Sequence, residues 1–142
     1  MKVEVRTGEW GKVEKPAAKV RDAVFIAEQG ISEALEHDGR DGEFLHVVLF
    51  ADAVPVAAGR MSPEGKIGRV AVLSPYRRKG LGKKVMAVLE RLAMERGLPE
   101  VLVHAQAAAL PFYRALFYTV CGPPFCEAEI VHYRMRKSLF PP

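Results

Sequence analysis

The sequence predicts an α/β domain of the α+β kind, with a mostly antiparallel sheet of six to seven strands flanked by helices. Three observations lead there. Short apolar runs recur between turn signals such as Ala51-Asp52-Ala53 and Pro63-Glu64-Gly65-Lys66. One long segment, Lys83–Arg96, has unmistakable helical periodicity. No repeat, linker or low-complexity tract divides the 142 residues, a length that suits one domain spanning 1–142.

The elements follow in order. Lys2–Arg6 alternates and reads as a first strand. Pro16–Glu28 reads as a helix, because proline suits a first turn and Val20, Val24 and Ala27 recur at helical spacing. Residues 30–42 are polar, acidic and glycine-containing, which predicts a loop or a short frayed helix. Glu43–Phe50, Val54–Met61 and Ile67–Leu73 read as three successive strands. In Lys83–Arg96, Val85, Met86, Leu89, Leu92 and Ala93 form a broad apolar stripe that Gly97 and Pro99 terminate. Val101–His104 reads as a buried strand, and Ala107–Leu116 as a second helix that Pro111 should start or kink. Tyr118–Cys121 and Ile130–Arg136 close the sheet around Gly122-Pro123-Pro124.

Composition narrows the function classes. The net charge of +4 is modest, and the basic residues are spread along the chain as well as clustered at one loop without interleaved aromatics. That argues against nucleic acid as a partner. No run approaches the roughly 18 apolar residues of a membrane span, and the N-terminus has no signal-peptide core, so a cytoplasmic protein without a membrane partner is expected. Cys121 and Cys126 are expected as reduced thiols, and no Cys/His spacing resembles a metal site.

The most informative stretch is Val70-Ala71-Val72-Leu73-Ser74-Pro75-Tyr76-Arg77-Arg78-Lys79-Gly80-Leu81-Gly82-Lys83. A hydrophobic strand enters a basic loop with two glycines, and a helix begins at once. The glycines let backbone approach a ligand closely, and the helix start offers free N–H groups and positive potential. This suits a phosphate or pyrophosphate, the alternative being a solvated basic turn. A P-loop is excluded, because its first glycine would fall at Arg77 and its Ser/Thr at Lys84. A dinucleotide fingerprint is excluded by Val85 in the place of its third glycine.

What fits is Arg-x-x-Gly-x-Gly after Val-x-Val, which resembles motif A of the GNAT (GCN5-related) N-acetyltransferases. The order of elements is that of the GNAT fold over nearly the whole chain. The resemblance implies a sheet splayed at a central parallel pair, with acetyl-CoA as cosubstrate in the wedge. Its pantetheine would pair with the backbone of Val70-Ala71-Val72, and its pyrophosphate would lie on Arg77 to Lys83. A second segment, from Gln106 through Phe112-Tyr113 to Phe117-Tyr118, is similar to the family's Asn-x-x-Ala-x-x-Phe-Tyr-x-x-x-Gly-Phe. The match implies that Gln106 and Phe112 border the cofactor and that Tyr113 protonates the departing thiolate. Phe117 stands in the glycine place, which alters the expected helix end. The run from Arg21 to Ile31, with Glu36-His37-Asp38, Asp41, His46, Arg60 and Glu129–His132, is similar to the ElaA/YjcF-like branch.

The family's usual strand glutamate is missing, since Ile67-Gly68-Arg69-Val70 holds no carboxylate. Glu28, Asp38, His46, His104 and His132 are the candidate bases, and each has an ordinary structural alternative. His46 is taken as the catalytic base, because a neutral imidazole in an apolar strand accepts a proton readily. Glu28, Asp38 and His132 are taken as acceptor-binding. The acidic stretch Ser32–Glu43 suggests a cationic acceptor. The expected activity is acetyl transfer to a primary amine of a small molecule or peptide, by direct attack in a ternary complex. A non-catalytic acyl-CoA-binding or sensing module is the alternative, and a homodimer is left open.

Overall fold

A computed structural model describes residues 1–140. Strand β1 (Val3–Glu9) lies antiparallel on β2 (Leu45–Ala51), which turns through Asp52-Ala53 into β3 (Val54–Met61). β3 pairs antiparallel with β4 (Lys66–Val72), β4 runs parallel to β5 (Glu100–Gln106), and β5 pairs antiparallel with β8 (Ile130–Ser138). Two short strands, β6 (Thr119–Val120) and β7 (Phe125–Glu127), both pair with β8. The sheet holds eight strands in the order β1-β2-β3-β4-β5-β8-β6, with β7 on β8. The six to seven expected strands omit β7, whose three residues follow Pro123-Pro124 and carry no alternation; its pairing with β8 makes it a strand. No helix of the described residues is long and apolar enough to cross a membrane.

Helix α1 spans Trp10–Arg21 and continues into a wider π-type coil over Asp22–Glu28. It starts well before Pro16, which lies inside it. An interior proline costs about 3 kcal/mol. Burial outweighs that here: Val13 and Ala17 pack on Val48 of β2, while Val20 and Val24 pack on Ala58 and Ala71. On the other face of the sheet, α3 (Leu81–Glu95) buries Val85, Met86, Leu89 and Ala93 in the main core. A side chain at Gly59 would come within 2.7 Å of Val85 Cγ1, so glycine lets α3 sit close to the sheet. A short helix α2 (Glu33–Glu36) and a single turn at Asp41–Glu43 form the otherwise irregular segment before β2.

Helix α4 (Leu110–Ala115) follows a tight turn at Ala107–Ala109, and Pro111 sits in its first turn, where it breaks no hydrogen bond. Its end is not altered by Phe117. That residue adopts the left-handed conformation that glycine would take, at φ 73°, with its ring 80% exposed. Tyr118 N–H donates to the Tyr113 carbonyl, which closes the helix as expected of a glycine stop.

One irregularity shapes the site. Ala58 pairs with Ala71 but Arg60 pairs with Gly68, so β4 carries one extra residue and bulges at Arg69, whose φ is 53°. The bulge reverses which face the side chains point to: Ile67 lies in the core under α3, whereas Ala71 lies in the cluster under α1. Pairing between β4 and β5 stops at Ile67 and Val103. Beyond that point the two strands splay into a wedge.

Candidate active site

The wedge is a cleft of about 1200 Å³ that passes between β4 and β5. Val70, Val72, Gly80–Lys83, Phe112 and Tyr113 line one end, and Asp38, Arg60, Arg69, His104 and His132 line the other.

The first end is built by the loop after β4. One turn at Ser74–Tyr76 leads through Arg77 to Arg78, which is left-handed at φ 64°, and Gly80, at φ 78°, caps α3. No side chain caps this helix, so the N–H groups of Leu81, Gly82 and Lys83 are not satisfied by a capping residue. Together with the helix dipole and the lining cations Arg78 and Lys83, they suit an anionic diphosphate. Gly82 lies against Phe112, whose ring would be 3.3 Å from an added Cβ. The β4 edge that faces β5 pairs with no strand at Val70–Val72, so its backbone groups other than the Val72 carbonyl could receive amide groups of a ligand.

Arg77 has a different partner. Its Nη1 and Nη2 each donate to the Glu28 carboxylate at 2.7 Å, and its Nε donates to the Val72 carbonyl at 2.9 Å. It fastens the loop to the end of the π-type coil, and this hydrogen bonding holds the Glu28 carboxyl below the usual carboxylate range. Glu28 and Lys79 do not line the cleft. Gln106, at the end of β5, donates across the wedge to Gln29 at 2.9 Å.

Tyr113 lines the cleft from α4, 8% exposed, edge-on to both Phe112 and Tyr118. Burial pushes its phenol up to about 12, so it keeps its proton at neutral pH. Tyr118 gives its hydroxyl to Glu90 at 2.7 Å and is thereby committed to the core.

At the far end, β5 presents His104 with Nδ1 3.2 Å from Glu127 Oε2 on β7, and its ring is edge-on to Phe125. Burial, together with the positive charge of Lys66, lowers its pKa despite Glu127. His132 has Nδ1 2.7 Å from the Ile130 carbonyl and stacks on Phe125. His46 is elsewhere. It is 1% exposed beneath Trp10, with Nε2 2.9 Å from the Asp41 carbonyl oxygen, and it does not line the cleft. The structure therefore brings Tyr113, His104, His132 and Asp38 to one cleft, but not His46 or Glu28.

The carboxylates of the segment before β2 are not open to the cleft as free negative charge. Six side chains alternate in a ring. Glu36 holds Arg21 at 2.8 Å, Arg21 holds Asp41 at 2.7 Å, Asp41 holds Arg60 at 2.8 Å and Arg60 holds Asp38 at 2.7 Å. Asp38 then approaches Arg69 at 3.5 Å, and Arg69 returns to Glu36 at 3.9 Å. Glu43 pairs with Arg40 outside the ring. Phe44 lies under Arg60, whose guanidinium is 4.0 Å from the ring centroid. The sequence reading gave no role to Arg69 or Glu127. A glycine in mid-strand, Gly68, was the available signal for a bulge; nothing local marks Glu127 as the partner of His104.

A family model described as an acetyltransferase (GNAT) domain matches residues 12–139. The chain is 35% identical over 128 residues to Bacillus subtilis YjcF, described as an uncharacterised N-acetyltransferase, with 87% of this chain and 91% of YjcF covered. Among solved structures, a putative N-acetyltransferase from Lactobacillus plantarum superposes with a TM-score of 0.90 at 27% identity, covering 99% of this chain and all of that one. Escherichia coli ElaA shares the fold with a TM-score of 0.83 at 24% identity, covering 94% and 99% of the two chains. An aminoglycoside 6'-N-acetyltransferase solved with coenzyme A shares the fold as well, with a TM-score of 0.79 at 12% identity and 98% of each chain covered.

Proposed function

This chain belongs to the GNAT acetyltransferase family, in the ElaA/YjcF-like branch, and from that premise we propose that it is an acetyl-CoA-dependent N-acetyltransferase acting on a primary amine. The observation that carries the reading is the continuity of the wedge. One cleft joins the uncapped start of α3 to Tyr113 and on to His104.

Acetyl-coenzyme A supplies the acetyl group as a thioester. Leu81, Gly82 and Lys83 would hold its diphosphate with their backbone N–H groups, and the free edge of β4 at Val70–Val72 would hold its amides. Tyr113 keeps a proton at its hydroxyl for the departing thiolate. The acceptor must lose a proton to become nucleophilic. His104 is assigned as the base: it lines the cleft, and with Nδ1–H donated to Glu127 its Nε2 would carry the lone pair that takes the proton. Asp38 is a less suitable base, because hydrogen bonding to Arg60 holds its carboxyl well below the usual range. Positioning of the two reactants in one cleft supplies much of the barrier reduction.

The test is coenzyme A binding by calorimetry, followed by acetyl transfer to a panel of amines. One site per chain and turnover with at least one amine are expected. Gly82→Val, checked for folding by circular dichroism, should abolish most binding by filling the approach to α3. Unchanged affinity in the folded variant would refute the cofactor assignment. Tight binding without turnover of any amine would favour a sensing module instead.

A further inference from the structure

We propose that the acceptor amine carries a carboxylate, and that Arg69 binds it; this rests on the acetyltransferase reading of the same cleft. The bulge puts Arg69 directly after the last paired residues of β4, Lys66 and Ile67, so its side chain enters the cleft where the strands part. Because Ile67 pairs with Val103, the next residue on β5 is His104, and the two side chains border the acceptor end from opposite strands.

Arg69 is the least satisfied member of the ring. Arg21 and Arg60 each have carboxylate contacts of 2.8 Å or shorter, whereas both carboxylate contacts of Arg69 are 3.5 Å or longer. Its Nη2 donates to the Leu35 and Glu36 carbonyls at 3.1 Å, but its Nε is buried without a partner. No hydrogen bond among the described residues uses its Nη1. Arg60 also has an unpartnered Nε, but its two Nη groups are held by Asp38 and Asp41.

The charge of Arg69 is undercompensated as a result. Burial and the neighbouring Arg60 lower its pKa, while Glu36 and Asp38 offset this only in part. For Arg21, burial opposes the charge too, yet Glu36 and Asp41 more than offset it. Asp38 is drawn to Arg60, at 2.7 Å, and stands 3.5 Å from Arg69. A carboxylate from the ligand would supply the missing counter-charge. The left-handed backbone at Arg69 is the sort of strain found where a side chain is held for a ligand. Apart from the rim charges Glu64, Glu127, Lys66 and Arg40, the cations lining this end are Arg60, which Asp38 and Asp41 already hold, and Arg69.

The experiment uses pairs of ω-amino acids and their carboxamides, which differ in the anion and share the amine. Binding is measured by calorimetry with and without coenzyme A, and acetylation is measured in parallel. The wild-type protein should bind the best acid about 10- to 100-fold more tightly than its carboxamide, the scale of hydrogen bonds to a charged group. Arg69→Asn, which tolerates the left-handed backbone, should erase that preference while carboxamide and coenzyme A affinities persist; Arg69→Lys should keep part of it. If no acid binds better than its carboxamide, or if the preference survives in Arg69→Asn, the proposal is overturned. Should Arg69→Asn fail to fold, the wild-type comparison and Arg69→Lys decide the matter. Failure of coenzyme A to bind would instead overturn the cofactor reading, and the comparison without coenzyme A separates the two.

Discussion

Replacing Arg21 by Met should destabilise the domain by about 3–5 kcal/mol, the cost of removing one partner from a buried ion pair. Arg21 is 3% exposed and donates from Nε and Nη2 to Glu36 and from Nη1 to Asp41. Its loss strands Glu36, which is 2% exposed, with only the distant Arg69 left as a counter-charge. For a chain of this length the melting temperature should fall by about 10–20 °C. Urea unfolding measures the free energy, and the midpoint should move with little change of slope. The double variant Arg21→Met/Glu36→Leu removes both charges and should recover most of the loss. Acid sensitivity supplies an independent reading. Burial opposes ionisation of Asp41, yet Arg21 and Arg60 hold its carboxyl below the usual range; hydrogen bonding to Arg60 does the same for Asp38. Both groups therefore contribute stability above an unfolded pKa of about 3.9, lost as pH falls through their folded values. In Arg21→Met that acid-dependent loss should shrink for Asp41. A single variant that loses under 1 kcal/mol, or a double variant no better than the single, would refute the view that the ring is a buried, coupled unit.

Tyr113→Phe keeps the ring that packs on Phe112 and Tyr118, so melting temperature and coenzyme A affinity should hold while acetyl transfer falls roughly 10- to 1,000-fold; full activity would make Tyr113 a packing residue. His104→Gln should lower transfer by about 10²-fold or more, and the wild-type rate should persist as pH falls to below about 6.5 before it declines, because the base is active when neutral and its pKa is lowered. A pH profile unchanged in His104→Gln would remove the histidine from the base role.

Much of the fold was legible because its signals are local. The stripe of α3 from Val85 to Ala93 and its stop at Gly97 need only neighbouring residues to be read, and so do the two glycines of the loop. The start of α1 was not legible, since Pro16 is a local helix breaker whose cost is outweighed by contacts with β2 and β3. The histidines divided for the same reason: His46 and His104 both sit in apolar strands, and sequence cannot tell which one a tryptophan covers and which one a cleft exposes.

By itself, then, the order of residues determined the run of strands and helices, the basic two-glycine loop before α3 and the Phe112-Tyr113 pair, all of which depend on periodicity and short-range geometry. Only the tertiary structure decided that β4 bulges at Arg69, that Arg77 belongs to Glu28, and that the acidic segment is neutralised by Arg21, Arg60 and Arg69. The charge pairings among them join residues 15 to 49 positions apart. Which charge meets which there is set by the sheet register and by burial, and neither is a property of any one segment.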